Sequence, residues 1–298
     1  MLTLKAALEE ATAAIGRVDA HVLVAHLLGV DRSYLVAHPM RVLTETEDAR
    51  IDSFVARRML GHPVAHLVER REFYGRDFIV TPDVLIPRPE TELLVEAALA
   101  RLPANVQSDR CFAATPPPPV ACNPPPAILD LGTGTGAIAL TLACERPDVR
   151  VTASDAADAA LAVARANAEA LGCSARVELV AGSWFEPVAG RRFDLIVANP
   201  PYVAGRDPHL CNGDLRFEPV GALTDGSADG LDSIRAIVAR APAHLEPGGW
   251  LLVEHGYDQR EAVAALLEGA AFADRFSADD LAGLPRVAGG RIAQRRNR

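Results

Sequence analysis

Apolar residues recur at helical spacing through the first seventy or so positions, and beyond position 127 they gather into short runs separated by amphipathic stretches. Leu4, Ala7, Leu8, Ala11 and Ile15 share one helical face, which Gly16 interrupts. A second helix is expected with Asp19 as N-cap, running to Leu28 and closed by Gly29. Residues 34–38 predict a short helix halted before Pro39, and residues 44–60 a longer one that starts on a cap-like Thr44 and keeps Ile51, Phe54, Val55 and Met59 together. Between Glu72 and Ile86 the period changes: Phe73-Tyr74-Gly75, Phe78-Ile79-Val80 and Pro82-Asp83 predict a β-hairpin linking two domains. A helix over 93–102 follows, capped by Thr91 or a neighbour.

From residue 127 strands and helices alternate. Strands are expected at 128–131, 149–153, 177–180, 193–197 and 250–254, helices at 137–144, 159–171, 231–245 and 259–268, and a closing hairpin around 280–293. The expected fold is a doubly wound, Rossmann-like α/β domain at 89–298, preceded by a helical bundle at 1–71 and a hairpin linker at 72–88. In such a sheet, ligands bind at the carboxyl ends of the strands. The proline-rich stretch 103–126 reads as an exposed insertion with an extended backbone and no core.

Composition narrows the partners. The 298 residues are 49% hydrophobic and 23% charged, enough for a core, and the net charge is −9 with no basic stripe, which argues against a nucleic-acid substrate. Lys5 is the single lysine. The five cysteines are scattered and the eight histidines form no ligand cluster, so reduced thiols, a cytoplasmic location and no metal are expected. Nothing resembles a signal peptide or a run of about 18 apolar residues, so no membrane segment is expected. A monomer is the working expectation for the assembly.

Three segments carry chemistry. Asp130-Leu131-Gly132-Thr133-Gly134-Thr135-Gly136 stands where a strand turns into a helix, and its glycines let the backbone approach a ligand. The spacing differs from that of dinucleotide folds and phosphate loops. An acidic residue ahead of the first glycine repels a pyrophosphate and suits the ammonium of a methionyl group, which favours S-adenosylmethionine. Asp155, ending the next strand, is placed for ribose hydroxyls. Trp184, after the third strand, is either a platform for the adenine or a core tryptophan. Asn199-Pro200-Pro201-Tyr202 closes the fourth strand. An amide or exocyclic amine nitrogen is a poor nucleophile because its lone pair is delocalised. The Asn199 side-chain oxygen and the Pro200 carbonyl can accept both of its hydrogens and hold it in line with a sulfonium methyl, on a loop stiffened by prolines, with Tyr202 available to stack. No general base is evident.

These segments, with Glu72-Phe73-Tyr74-Gly75, Leu85-Ile86-Pro87-Arg88-Pro89-Glu90-Thr91-Glu92, Trp184-Phe185, Phe217-Glu218-Pro219, Asp229-Gly230-Leu231-Asp232 and Asp280-Leu281-Ala282-Gly283, resemble the HemK-type protein N(5)-glutamine methyltransferases over nearly the whole chain. Within that group, 86–92 is similar to the enzymes that modify peptide chain release factors. The resemblance implies methylation of the glutamine in a Gly-Gly-Gln tripeptide. It implies cofactor contacts from Asp130, Gly132, Thr133, Gly134, Thr135, Gly136, Asp155, Trp184 and Asn199, and substrate contacts from Asn199, Pro200, Pro201 and Tyr202. The helical domain would recognise the body of the factor. Arg88 and Glu90 would either lie at the site's mouth or form a salt bridge clasping the hairpin. Departures from the pattern are Ser183 in place of Asp, Glu69 in place of Gly, and His255 at an apolar strand end. Glutamine methylation of a ribosomal protein, adenine-N6 methylation of nucleic acid, and an inactive cofactor-binding scaffold remain the alternatives.

Overall fold

Five helices open the chain in a computed structural model that describes residues 2–103 and 124–294. They are α1 (Leu4–Ile15), α2 (Arg17–Leu28), α3 (Arg32–Ala37), α4 (Glu45–Met59) and α5 (Val64–Val68). Local chemistry sets their ends. Thr3 caps α1 by accepting from Ala6 N, and Thr44 and Glu47 bond each other's backbone N–H in a reciprocal capping box at the start of α4. The expected cap at Asp19 is not the start of α2: Gly16, at φ +84°, turns the chain directly into Arg17. Asp19 sits inside the first turn, where it accepts from Arg58 Nε at 2.7 Å. The sequence reading did not include α5, whose five residues are too few to show a period. Leu4, Leu8, Val24, Leu35 and Ile51 form the core of the bundle.

An antiparallel hairpin follows, β1 (Arg70–Phe73) and β2 (Arg76–Ile79), entered through Glu69 at φ +57°. The remainder is a seven-stranded sheet: β3 (Ala127–Leu131), β4 (Arg150–Asp155), β5 (Val177–Ala181), β6 (Phe193–Ala198), β7 (Leu245–Glu254), β8 (Ala273–Asp279) and β9 (Pro285–Arg291). Its order is β5-β4-β3-β6-β7-β9-β8. The first five strands are parallel and β9 runs antiparallel to both its neighbours. Around the sheet lie α6 (Glu92–Leu99), α7 (Ala137–Glu145), α8 (Asp158–Ala170), α9 (Val220–Leu223), α10 (Asp232–His244) and α11 (Arg260–Gly269). The gap expected between a helix ending at 245 and a strand starting at 250 is absorbed into β7, which begins at Leu245 and shifts register against β6 there.

Successive residues of the central strands feed opposite faces, which is why those strands read as continuous apolar runs. Ile128 and Leu195 pack with Leu94, Ala98, Ile138 and Leu142 on one side. Leu129, Ile196 and Leu251 pack with Ile234, Ile237, Val263 and Leu267 on the other. Ala65, Val80, Val84 and Ile86 meet Ala160 and Val163 of α8, joining the helical bundle to the sheet domain. Arg58 of α4 reinforces the joint by donating to both Asp19 and Asp214 at 2.7 Å. The proline-rich stretch expected to be an insertion falls largely on residues 104–123, outside the described residues. Cys144, Cys173 and Cys211 are free thiols, and Cys111 and Cys122 lie in that same stretch. Among the described residues no helix is long and apolar enough to cross a membrane.

Candidate active site

Leu131 pairs with Ser154 on one side and Ala198 on the other. Gly132, Asp155 and Asn199 therefore leave the sheet at adjacent positions, where the strand order reverses. A cavity of about 410 Å³ opens there, and Gly132, Gly134, Asp155, Trp184, Asn199 and Pro201 all contribute to its wall. That volume lies in the range of roughly 300–1,000 Å³ usual for small-molecule sites.

The glycine turn is held by its neighbours. Gly132 N and Thr133 N both donate to Ser154 O, at 2.9 and 3.0 Å. Gly134, at φ +56°, donates its N–H to Asp155 Oδ2 at 2.9 Å, and Ala157 N bonds Oδ1 at the same distance. Both carboxylate oxygens of Asp155 are thus fixed at the cavity wall. A Cβ on Gly136 would lie 2.8 Å from Leu140 Cδ1, so the packing of α7 against the turn requires glycine here. Thr133 and Thr135 are buried. The Thr135 carbonyl accepts from Asn167 Nδ2 at 2.9 Å, and the same Asn167 side chain bonds the backbone of Ile79, tying β2 to the turn.

Asp130, expected at the methionyl ammonium, lies beneath the turn with no exposed surface. Its Oδ2 accepts from Thr133 Oγ1 at 2.7 Å, and its Oδ1 is buried without a protein partner. Burial pushes the carboxyl up to about 7, with the Thr133 hydroxyl and the nearby Ala139 backbone N–H pulling the other way. Trp184, at φ +46°, is half-buried: it packs against the α10–α11 core and also lines the cavity. Ser183 stands exposed on the same wall.

In the Asn-Pro-Pro-Tyr loop, Asn199 Nδ2 donates to Thr91 Oγ1 at 3.1 Å. This commits the donor end of the carboxamide to the protein and turns the oxygen away from Thr91. Pro200 is buried and Pro201 faces the cavity. Tyr202 does not line the cavity. Its hydroxyl donates to Glu254 Oε1 at 3.1 Å, and burial with the nearby Glu254 raises its pKa. The loop is buttressed from behind by Gln259 Nε2, which donates to the Tyr202 carbonyl at 2.9 Å and to the Asp229 carbonyl at 2.8 Å.

Arg88 and Glu90 are not on the cavity wall. Arg88 donates to Glu218 Oε1, and Glu218 Oε2 accepts from Ile86 N at 2.9 Å, so the salt bridge clamps 86–88 onto the segment before α9. Glu90 is exposed. The residues to which the sequence reading gave no part in the site are Thr91, read there as a helix cap, and Glu218, Glu254 and Gln259, all at most 7% exposed. Asp83, Val84, Leu85, Pro219, Gly221 and Ala222 also complete the cavity wall. Glu254 had a legible signal: it ends an apolar strand, as Asp155 and Asn199 do.

Residues 3–68 match the PrmC N-terminal domain and residues 121–212 the methyltransferase small domain. Similar proteins include the release factor glutamine methyltransferase of Burkholderia pseudomallei, 48% identical over 279 residues that cover 92% of this chain and 91% of that one. The enzyme of the same name from Xylella fastidiosa strain Temecula1 is 47% identical over 96% of this chain and 97% of its own, and that of Pseudomonas aeruginosa is 46% identical over 93% of each. The fold is shared with a methyltransferase from Pyrococcus furiosus (TM-score 0.52, 17% identity, covering 80% of this chain and 97% of the other).

Proposed function

Because the chain belongs to the release factor glutamine methyltransferase family, we propose that it transfers a methyl group from S-adenosylmethionine to the side-chain amide nitrogen of the Gly-Gly-Gln glutamine in peptide chain release factors. The observation that carries this reading is the Asn199 carboxamide, fixed by Thr91 at the edge of the cavity and one strand away from the glycine turn.

The residues present fit the cofactor. The wall at Gly134 is open enough that even a Cβ there would touch nothing, so a ligand can approach the main chain. The buried, unpartnered Asp130 Oδ1 is an acceptor in want of a donor. Gly132 to Gly136 would hold the methionyl part, Asp155 the ribose, and Trp184 with Ser183 the base. When bound, S-adenosylmethionine supplies an electrophilic methyl group on a positively charged sulfur.

The chain's own residues supply the orientation. Asn199 Oδ1 and the Pro200 carbonyl accept the two hydrogens of the substrate amide, point its nitrogen at the methyl group and favour electron density on that nitrogen. Fixed φ angles at Pro200 and Pro201 keep these acceptors preorganised. The proton lost from the methylated nitrogen leaves by way of these acceptors or water. The helical bundle, joined to the sheet domain through Arg58, would read the body of the factor. A release factor as substrate fits a monomeric enzyme of the cytoplasm.

The test is incubation with labelled S-adenosylmethionine and, separately, a release factor, ribosomal proteins and DNA. Label on the release-factor glutamine is expected, and label on DNA alone overturns the reading.

A further inference from the structure

Glu254 ends β7 level with the Asn199 loop: Val253 pairs with Ala198 across the two strands. Its carboxyl group is 1% exposed. A carboxylate this deep is expensive unless it is paired, yet no cation is bonded to it among the described residues. Arg286 of β9, whose charge acts on it, is hydrogen-bonded to Asp280 at 2.9 Å. Among those residues the one hydrogen bond to its carboxyl comes from the candidate active site: Tyr202 Oη donates to Oε1 at 3.1 Å. Oε2 is buried with no hydrogen-bond partner among them, an acceptor left open beside the segment that carries Thr91. Thr91 accepts from Asn199 and keeps one proton of its own to donate.

We propose that Glu254 is a positioning residue for methyl transfer, its carboxylate terminating two hydrogen-bond chains, one through Thr91 to the Asn199 carboxamide and one through the Tyr202 phenol. The proposal rests on the reading that Asn199 grips the substrate amide. A carboxylate only accepts, so it orients both hydroxyl protons toward itself. Thr91 must then receive the Asn199 N–H, which leaves Asn199 Oδ1 as the end presented to substrate. Bonds in such a chain polarise one another: drawing on the Asn199 N–H makes Oδ1 a stronger acceptor. A protonated Glu254 is itself a donor at one oxygen, so it no longer forces both hydroxyl protons toward itself and the order of the Asn199 chain is relaxed.

The device is therefore sensitive to pH. Burial pushes the Glu254 carboxyl up to about 7 while the Thr91 and Tyr202 hydroxyls pull it down. The charged and titratable groups facing it are Tyr202 from the loop after β6, Arg286 from β9 and Glu90 from the turn before α6. His255, next along the chain, is held toward its neutral form by its own burial. The carboxylate form, and with it the ordered Asn199, gains as pH rises through about 7.

The experiment is single-turnover methylation of a release factor at saturating S-adenosylmethionine, from about pH 6 to 9, by the wild type, Glu254→Gln and Thr91→Val. The rate of the wild type should rise through about pH 7. Glu254→Gln should lose that limb and fall about tenfold or more near pH 8, with the KM for release factor and the cofactor Kd within about twofold of wild type. The effect of Glu254→Gln should shrink in the Thr91→Val background, since both changes cut the same chain. Infrared difference spectra of cofactor-free protein should show, beside the Asp130 carboxyl that titrates in the same range, a second carboxyl band near pH 7 that is missing in Glu254→Gln and kept in Asp130→Asn. A wild-type rate with an unchanged acid limb in Glu254→Gln overturns the proposal. So does a fully additive double variant, or the absence of that second band. If Glu254→Gln does not fold, wild-type rates in both Thr91→Val and Tyr202→Phe overturn it. Failure of the wild type to label release factor strikes the functional reading instead, and Glu254 is then judged on the infrared band.

Discussion

Asn199 and Thr91 lie 108 positions apart in the chain, and the carboxamide nitrogen of one meets the hydroxyl oxygen of the other at 3.1 Å. Thr91 is 4% exposed and opens α6, but its side chain makes no capping bond to the helix. Its hydroxyl serves the neighbouring strand end instead. The segment 86–92 thus works on the Asn-Pro-Pro-Tyr loop, and the orientation of the Asn199 amide is set from outside that loop.

The first prediction concerns Asn199 itself. Asn199→Ala removes one of two acceptors for the substrate amide and leaves Thr91 without its partner. Transfer should fall by about 10²–10³-fold, the usual cost of losing one preorganised hydrogen-bonding group at a reacting centre. Cofactor binding, measured by calorimetry, should stay largely intact, because the glycine turn and Asp155 hold each other without Asn199. Equal loss of both would show that Asn199 belongs to the cofactor alone.

Much of this arrangement was legible in the chain. The doubly wound sheet follows from apolar runs such as 128–131 and 193–197, and the glycine turn, Asp155, Trp184 and Asn199 converge on one cavity because each sits just past a strand end. What the chain did not disclose depends on tertiary packing. Thr91 looks like an ordinary helix cap, since nothing local says that its hydroxyl points to a residue 108 positions away. Gln259 looks like the start of a helix, yet its amide props up the Tyr202 carbonyl. Tyr202 drew attention for its ring, and nothing local shows that its hydroxyl is engaged by Glu254. Asp130 suggested a ligand contact, and what the chain did not disclose is that its carboxyl is buried beneath the turn with one oxygen held by Thr133.

Gly230 tests the support of the loop. It adopts φ +67°, and a Cβ there would lie 2.1 Å from the Tyr202 carbonyl oxygen and 2.7 Å from its carbon. Both obstacles are backbone, so they cannot swing aside. Gly230→Ala should cost about 1–3 kcal/mol of stability, or displace the Asn-Pro-Pro-Tyr loop and depress turnover more than cofactor affinity. Urea unfolding and cofactor titration together check this. A variant that matches wild type in stability and rate would mean that the loop yields freely.

Glu218 tests the clamp on 86–88. One of its oxygens takes the Ile86 N–H and the other the Arg88 guanidinium. Glu218→Gln keeps one acceptor and turns an –NH2 toward a donor. The expected loss is about 1–3 kcal/mol, with Arg88 partly solvated and so able to recover some hydration. Turnover should fall as well, because Thr91 lies three residues beyond Arg88 on the same segment. Unchanged denaturation midpoints would show that the clamp contributes nothing.

Asp130 makes the protein's stability depend on pH, and the sign can be worked out. Burial raises its carboxyl from 3.8 to about 7 in the folded state. Between those values the folded protein keeps a proton that the unfolded chain has released. The contribution of this group is therefore whole below about pH 4 and is lost as pH rises through about 7. For a shift of this size the loss between about pH 5 and pH 8 is on the order of 2–3 kcal/mol. Asp130→Asn cannot ionise, so that part of the slope should vanish from urea unfolding of cofactor-free protein. Glu254, raised to about 7 by the same cause, adds a slope of the same sign that the variant retains. Near pH 8 the variant should lose less stability than wild type, relative to each protein at pH 5. It should also bind S-adenosylmethionine more weakly, because an amide is a poorer partner than a carboxylate for the ammonium that the unpartnered Asp130 Oδ1 is proposed to attract. A gain in stability at high pH accompanied by undiminished cofactor affinity would leave Asp130 a purely structural support of the glycine turn.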